Sequence, residues 1–162
     1  MKKTALIALV SFFISFGIAD DKTSPIKSLG ALTLTDHTGK KVNIGKEIGK
    51  PVLFVFWATW CDPCMMEIPI LVKIQNKYRR HGLRIISVAM DGEEQKDALQ
   101  DIIKCHSVNY PVFIATPEID KIFGEIKSLP CSITLTKSGV LGERSQGILS
   151  EAEIEAKVKS LL

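Results

Sequence analysis

The chain has 162 residues and a 46% apolar content, which suits one domain with a single hydrophobic core plus a short appendage. Its formal charge is +3; without residues 1–19, which carry two lysines, 19 basic groups face 18 acidic ones. This balance, with no nucleic-acid motif, low-complexity tract or internal repeat, argues against nucleic acid or a strongly acidic molecule as a partner.

Residues 1–19 have the composition of an export signal. Two lysines precede an apolar core of 15 residues, Thr4–Ile18, which is shorter than the roughly 20 residues that a membrane-spanning helix needs. Small residues in Gly17-Ile18-Ala19 predict cleavage before Asp20, and an uncleaved membrane anchor is the alternative. In either case we expect the rest of the chain to lie outside the cytoplasm, in the periplasm or an equivalent compartment.

The next residues predict a tether and then the start of a domain. Residues 20–30 are polar with one proline, which predicts a flexible tether, and residues 31–162 are expected to form the domain. Alternating segments at 31–34 and 41–44 flank a glycine-containing turn, a pattern typical of a β-hairpin. His37 lies in that turn, where we expect solvated surface rather than a catalytic or metal-binding role.

Two cysteines follow at the junction of two predicted elements. Val52–Phe56 is a short β-branched and aromatic run, which predicts a buried strand. Apolar residues at helical spacing come next, and Pro63 suits the first turn of a helix, where its missing N–H costs no hydrogen bond. Cys61 and Cys64 therefore lie where a strand gives way to a helix.

This position suits thiol chemistry. A helix N-terminus offers unpaired N–H groups and a partial positive charge, and both favour a thiolate at Cys61. Cys-x-x-Cys motifs lower the thiol pKa from about 8.5 towards 7 or below, and Cys64, one turn into the helix, is placed to attack a mixed disulfide. A structural disulfide or half of a zinc site is the alternative. Zinc is disfavoured because Cys105 and Cys131, 26 residues apart, do not form a second close pair, so no metal is predicted.

The remaining sequence alternates predicted strands and helices. Strands are predicted at 83–90, 108–114, 131–135 and 140–148, and helices at 93–105, at 120–123 and after Ser150. Ser150 and Glu153 have the spacing of a capping box. Helices between roughly parallel strands require crossover connections, which predicts an α/β sandwich.

The residues around the cysteines resemble a known family. The segment from Trp57 to Cys64, Trp-Ala-Thr-Trp-Cys-Asp-Pro-Cys, is similar to the W-A-x-W-C-x-P-C signature of the exported TlpA/ResA-like branch of the thioredoxin superfamily. Glu67 and Pro69 match its continuation, and the similarity runs from about Leu32 to the C-terminus. The resemblance implies a thioredoxin-like three-layer sandwich with a central mixed β-sheet, an N-terminal β-hairpin and a TlpA/ResA-type insertion.

The resemblance also implies a substrate surface. Pro130 matches the proline that is cis in this fold and lies opposite the cysteines, which would leave the N–H and C=O of Leu129 free to pair with an extended substrate chain. An ordinary trans proline at the entrance of a strand is the alternative. Trp60, Asp62 and Pro63 are the other expected substrate contacts.

Glu67 is the third expected catalytic group, beside Cys61 and Cys64. Many thioredoxins keep a buried acid at the strand position that is Val55 here, and the TlpA/ResA-like pattern supplies a carboxylate one turn beyond Cys64 instead. If buried, Glu67 would have a raised pKa and could accept the proton of Cys64 as that thiol attacks; a solvated glutamate is the alternative. Asp62 places a negative charge beside Cys61, which opposes a thiolate and predicts a reducing enzyme.

We therefore expect an exported thiol–disulfide oxidoreductase that reduces disulfides in partner proteins, with no cofactor beyond the Cys61–Cys64 disulfide. The resemblance suggests a membrane thiol transporter as electron donor and apocytochrome c, during cytochrome c maturation, as one client. The protein is expected to act as a monomer. The alternative is a copper(I)-binding or delivery protein, because Met65 and Met66 add soft ligands to the two thiols.

The other two cysteines have no expected catalytic role. Cys131 stands where the family commonly has Thr, and it could lie within a few ångströms of the active-site sulfurs. A disulfide between Cys131 and Cys105 is the alternative, and the sequence does not decide between them.

Overall fold

The computed structural model describes residues 29–162. The predicted signal or anchor at 1–19 and the part of the predicted tether before Leu29 lie outside the described residues. Leu29, near the end of that predicted tether, is buried in the core. Across the described residues, no helix is long and apolar enough to cross a membrane.

A seven-stranded sheet forms the middle of the domain. Its strands are β1 (Thr33–Asp36), β2 (Lys41–Asn43), β3 (Val52–Trp57), β4 (Arg84–Ala89), β5 (Val112–Ile114), β6 (Cys131–Leu135) and β7 (Leu141–Gln146). Their order across the sheet is β2-β1-β5-β4-β3-β6-β7. The three central strands β5, β4 and β3 are parallel, and every other neighbouring pair is antiparallel. The predicted mixed sheet is therefore confirmed, with β2 and β7 at its edges.

Helices cover both faces of this sheet. They are α1 (Asp62–Tyr78), α2 (Lys96–Cys105), α3 (Glu118–Phe123) and α4 (Glu151–Leu161), and short 3-10 turns lie at Ile44–Glu47, Arg79–His81 and Glu93–Gln95. Helices α1, α2 and α4 pack on one face, and α3 packs on the other together with the chain around Leu29. The described residues thus form the expected three-layer sandwich.

Strand β3 lies at the centre of the core. All six of its residues are buried, because helices cover the sheet on both sides of the strand. Phe54 and Phe56 point to one face, where Phe123 of α3 packs against them edge-to-face at ring-centroid distances of 4.8 and 5.2 Å. The alternate residues, among them Val55 and Trp57, face α1 and the two cysteines.

The predicted N-terminal hairpin is β1 and β2. The carboxylate of Asp36 accepts hydrogen bonds from the N–H groups of Thr38 at 2.8 Å and Lys40 at 3.0 Å, which fixes the turn. Gly39 has a φ of 93°, a conformation that glycine adopts without a steric penalty. β1 also pairs with β5, so the hairpin extends the main sheet.

Strand β5 is shorter than the predicted strand at 108–114. The residues before it close α2 instead: Ser107 has a φ of 51°, and the N–H of Val108 donates to the carbonyl oxygen of Ile103 at 3.0 Å. This helix-terminating turn and the residues that follow it, up to Pro111, precede the strand. Strand pairing therefore begins at Val112.

A side chain replaces strand pairing where β5 is missing. β5 pairs with β4 only along Ser87–Ala89. Towards the N-terminal end of β4, where β5 does not pair, the N–H of Ile85 donates to Oε1 of Gln75 at 2.8 Å. Nε2 of Gln75 donates to the carbonyl oxygen of Leu83 at 3.4 Å. The buried amide of Gln75 therefore satisfies two backbone groups on the open side of β4.

Candidate active site

Cys61 and Cys64 form a disulfide at the N-terminus of α1. The S–S distance is 2.06 Å, and the two Cα atoms are 5.3 Å apart. Cys61 is the N-cap residue of α1, and the N–H of Cys64 donates to Sγ of Cys61 at 3.3 Å. The exposed fraction is 5% for Cys61 and 1% for Cys64. Cys61 is thus the slightly more exposed residue of the two and sits where helix N–H groups stabilise a negative charge.

The loop between β3 and α1 holds Cys61 in place. The N–H of Met90, just after β4, donates to the carbonyl oxygen of Trp57 at 2.7 Å. The N–H of Cys61 donates to the carbonyl oxygen of Ala58 at 3.1 Å. Trp57 is buried, and its indole N–H donates to Oγ of Ser87 on β4. This tryptophan therefore packs in the core, with its polar N–H satisfied by a hydrogen bond.

Asp91 also anchors this loop. Its carboxylate accepts hydrogen bonds from both the N–H and the hydroxyl of Thr59, two residues before Cys61, at distances between 2.7 and 3.0 Å. Asp91 is not among the site residues predicted from the sequence. A signal was available, because Asp91 follows the strand parallel to β3, and the carboxyl ends of parallel neighbours lie at the same edge of a sheet.

The peptide bond between Leu129 and Pro130 is cis, as predicted. Pro130 directly precedes β6, which pairs with β3 so that Cys131 lies opposite Phe56. This register brings the proline to the end of β3 from which the cysteine loop emerges. The side chain of Leu129 packs against the same apolar cluster as the two cysteines.

A groove of about 580 Å³ runs between the cysteine loop and the segment before Pro130. Its lining residues are Trp60, Cys61, Asp62 and Pro63 of the cysteine loop, together with Met90 and residues 126–129. Trp60 is 71% exposed, which leaves its indole open to a bound chain. The expected substrate contacts are therefore brought together, apart from Pro130, which is buried beside the groove.

Glu67 is buried, with an exposed fraction of 3%. Its Oε1 accepts a hydrogen bond from the N–H of Leu149 at 2.9 Å. Burial raises the pKa of the Glu67 carboxyl above its ordinary value, and the Leu149 hydrogen bond opposes part of this rise. The charge of Glu67 also contributes, after burial, to the raised pKa values of Tyr110 and Cys131. Glu67 thus has the burial that its expected proton-transfer role requires.

Cys131 does not join the active-site sulfurs. It is buried in the cluster of Phe56 and Phe123 on the face of the sheet opposite α1, because the register with β3 places it beside Phe56. Cys131 thus packs in a different apolar cluster from Cys61 and Cys64. Cys105 is exposed at the end of α2, and both thiols are free, so the alternative Cys105–Cys131 disulfide is not formed.

The copper alternative finds no specific geometric support in the described part of the chain. Met66 is 67% exposed, whereas Cys64, two residues before it on α1, is almost completely buried. Met65 packs partly buried against the cysteine cluster. The two methionines therefore diverge around the helix and do not converge with both sulfurs on one point.

The fold, the disulfide at the start of α1 and the facing cis-proline define a thiol–disulfide oxidoreductase of thioredoxin fold. A model of the AhpC/TSA family matches residues 27–140, and the chain belongs to that thioredoxin-like family. The thiol-disulfide oxidoreductase ResA of Bacillus thuringiensis subsp. konkukian is 32% identical over 143 residues, which cover 88% of this chain and 81% of the relative. A protein of the same name from Bacillus cereus is 30% identical over 160 residues, covering 96% and 90%.

Solved structures agree with this assignment. A thiol:disulfide interchange protein from Chlorobium tepidum TLS superposes with a TM-score of 0.73 at 29% identity, covering 80% of this chain and 92% of the other. A secreted disulfide oxidoreductase from Mycobacterium tuberculosis has a TM-score of 0.71, at 19% identity and with coverage of 83% and 98%, which supports the fold alone. The protein is a ResA-like thiol–disulfide oxidoreductase whose redox pair is Cys61–Cys64.

Proposed function

We propose that this oxidoreductase is exported and works as a reductant of disulfides in partner proteins. The observation that carries the proposal is the joint geometry of the groove and the disulfide: Cys61 lines the groove of about 580 Å³, whereas Cys64 is not among its lining residues and is almost completely buried. Such an arrangement suits a sulfur that must reach a disulfide in another polypeptide, followed by a second sulfur that acts only within the molecule.

The reaction runs in two exchange steps. The Cys61 thiolate attacks one sulfur of a client disulfide, so that a mixed disulfide forms and the other client sulfur leaves as a thiolate. The Cys64 thiol then loses its proton and attacks Sγ of Cys61, which releases the second client sulfur and forms the Cys61–Cys64 disulfide. Two electrons pass to the client, and the released thiolates take up two protons in total.

Glu67 is proposed as the acceptor of the proton from Cys64. It lies one helical turn beyond Cys64, is buried, and has a raised pKa, so that it binds a proton more tightly than an ordinary glutamate does. Within this proposal, the groove residues contact the client, with Trp60 as an apolar surface and the free backbone of Leu129 as a pairing edge.

The reducing direction is supported by Asp62. This residue occupies the first turn of α1, directly after Cys61, where its carboxylate disfavours a second negative charge on the neighbouring sulfur. A stable thiolate is the feature that makes a strong oxidant, since it stabilises the reduced form. A measured potential of about −120 mV, typical of a strong oxidant, would contradict this part of the proposal.

The compartment and the partners are the most specific parts of the proposal. The composition of residues 1–19 supports export, with either a cleaved signal or an anchor at the inner membrane. The resemblance to the TlpA/ResA-like branch supports a membrane thiol transporter as the electron donor and apocytochrome c as a client. No cofactor beyond the cysteine pair enters either exchange step.

Trapping of mixed disulfides tests the proposal. A Cys64→Ala variant of the full chain can form the mixed disulfide but cannot resolve it, so client proteins should accumulate on Cys61. A variant that lacks both Cys61 and Cys64 is the matched control and should trap none, even though Cys105 is still exposed. Apocytochrome c among the trapped proteins would support the specific client. Trapping that is equal in both variants would contradict the proposed exchange at Cys61.

A further inference from the structure

Asp91 is a buried carboxyl group without a charged partner among the residues that the structure describes. It lies two residues after the end of β4 and is 7% exposed. Its Oδ1 accepts from the N–H of Thr59 at 3.0 Å and from the Thr59 hydroxyl at 2.7 Å, and its Oδ2 accepts from the same N–H at 2.9 Å. Acidic groups are rarely buried unless they are paired, so this position calls for a specific reason.

All three hydrogen bonds end on a single residue of the cysteine loop. Thr59 lies two residues after Trp57, whose carbonyl oxygen is bound by the N–H of Met90, and two residues before Cys61. Trp60 and Met90 both line the groove. Asp91 therefore joins the β4 side of the groove to the middle of the loop that carries Cys61.

We propose that Asp91 is a positioning residue for thiol–disulfide exchange, acting through Thr59 to hold Cys61 and Trp60 in the orientation needed for attack. Exchange requires the attacking sulfur to approach the target disulfide in a defined geometry, and a misplacement of about 1 Å can cost about 100-fold in rate. This inference rests on exchange chemistry at Cys61, and it is independent of the direction and the client proposed above.

Conservative substitutions divide the contribution of the Oδ1 contacts from the rest. The amide oxygen of an Asp91→Asn variant can keep the two contacts that Oδ1 accepts from Thr59, whereas the contact of Oδ2 with the Thr59 N–H is lost together with the charge. Asp91→Ala removes contacts and charge together. Thr59→Val removes only the hydroxyl, and Thr59→Ser keeps it. Asp101→Ala, at an exposed position of α2, is the control for the change in net charge.

The experiment measures the second-order rate constant of the reduced full-length protein with 5,5′-dithiobis(2-nitrobenzoate) and with insulin disulfides. We expect Asp91→Ala to lower it by about 10-fold or more, and Asp91→Asn, Thr59→Ser and Asp101→Ala to remain within about 3-fold of the wild type. The rate constant of Thr59→Val should lie between that of Asp91→Ala and that of the wild type. Recovery of the rate by Asn, which a general loss of stability does not explain, is the decisive result.

Three results would overturn the inference. A folded Asp91→Ala variant with the wild-type rate would show that the hydrogen bonds do not position Cys61. An Asp91→Asn rate as low as that of Ala would show that the two contacts of Oδ1 do not position Cys61. If Asp91→Ala does not fold, equal rates for Thr59→Val and Thr59→Ser would also reject it. Absence of exchange in the wild-type protein would instead contradict the oxidoreductase function itself.

Discussion

Glu67 and Leu149 are joined by a hydrogen bond of 2.9 Å, in which the backbone N–H of Leu149 donates to the Glu67 carboxylate. The bond links α1, one turn beyond Cys64, to the segment that leads into α4. It gives the buried carboxylate a fixed orientation while burial keeps its pKa raised. In the proposed mechanism, this oriented carboxylate is the group that accepts the proton of Cys64.

The first prediction concerns the rate of the resolving step. Glu67→Gln keeps an oxygen that can accept from Leu149 but removes the proton acceptor, so we expect release of client from the mixed disulfide to slow by about 100-fold. Stopped-flow mixing of the reduced protein with a client disulfide, with formation and resolution of the mixed disulfide followed as separate phases, gives this rate. Glu151→Gln, at a partly exposed position of α4, is the control. Equal rates in the wild type and both variants would show that Glu67 does not accept the proton of Cys64.

The second prediction concerns the pH dependence of stability. The pKa of Glu67 is raised in the folded protein above its ordinary value of 4.5, so the folded state binds this proton more tightly than the unfolded state. The contribution of Glu67 to the free energy of unfolding is therefore largest below pH 4.5 and declines as the pH rises through the raised value.

Urea unfolding of the wild type and of Glu67→Gln between about pH 4 and pH 8 tests this sign. The stability of the wild type relative to the variant should fall with increasing pH and then level off, because only the wild type must ionise a buried carboxyl group. A constant difference across this range would mean that Glu67 titrates alike in the folded and unfolded states.

The third prediction concerns the side-chain amide of Gln75, which replaces strand pairing on the open side of β4. Gln75→Met keeps a similar volume but leaves the N–H of Ile85 and the carbonyl oxygen of Leu83 without a partner, so we expect a loss of about 2 kcal/mol in the free energy of unfolding. Chemical denaturation measures this loss. Asn76→Ala, at the exposed neighbouring position, should change stability by less than about 0.5 kcal/mol. Similar values for the two variants would mean that water satisfies the open side of β4.

The fourth prediction concerns the start of α4. The Ser150 hydroxyl accepts from the N–H of Glu153, and the Glu153 carboxylate accepts in return from the N–H of Ser150 at 2.8 Å. Ser150→Ala should lower the free energy of unfolding, measured by chemical denaturation, by about 1 kcal/mol. Ser160→Ala, at the other end of the same helix, should have a smaller effect because its hydroxyl bonds only to the preceding turn. The opposite order would argue that the capping box does not stabilise α4.

The fifth prediction concerns the exposed indole beside Cys61. Trp60→Ala should lower kcat/KM for protein disulfides by about 10-fold, as expected for an aromatic contact residue, while exchange with a small aromatic-free disulfide stays near the wild-type rate. Met66→Ala, similarly exposed but outside the groove lining, is the control. An equal loss for both substrates would indicate damage to the cysteine loop rather than loss of client contact.

The sequence predicts the cysteine junction well because its signals are local. The apolar run of β3, the proline after Cys61 and the two-residue spacing of the thiols all lie within a few positions of one another. The cis peptide before β6 was predicted from the family resemblance and is present. The capping box at Ser150 likewise follows from two residues at fixed spacing.

Features that depend on distant contacts were not accessible in this way. The burial of Glu67 depends on Leu149, 82 residues further along the chain, and helical spacing alone cannot show it. The position of Cys131 depends on its register with Phe56, because a shift of one residue would turn the thiol to the other face of the sheet. The anchoring of Thr59 by Asp91 depends in the same way on the parallel pairing of β3 and β4.

The two outer strands leave the sheet with edges that are poorly suited to pairing with another copy. β2 has only three residues and begins with Lys41, while β7 carries Glu143 and Arg144 and pairs irregularly with β6 between Ile133 and Leu135. Short length, charge and broken register each disfavour the addition of a strand from a neighbouring copy. The edges of this sheet are therefore poor templates for the strand-by-strand growth of an aggregate.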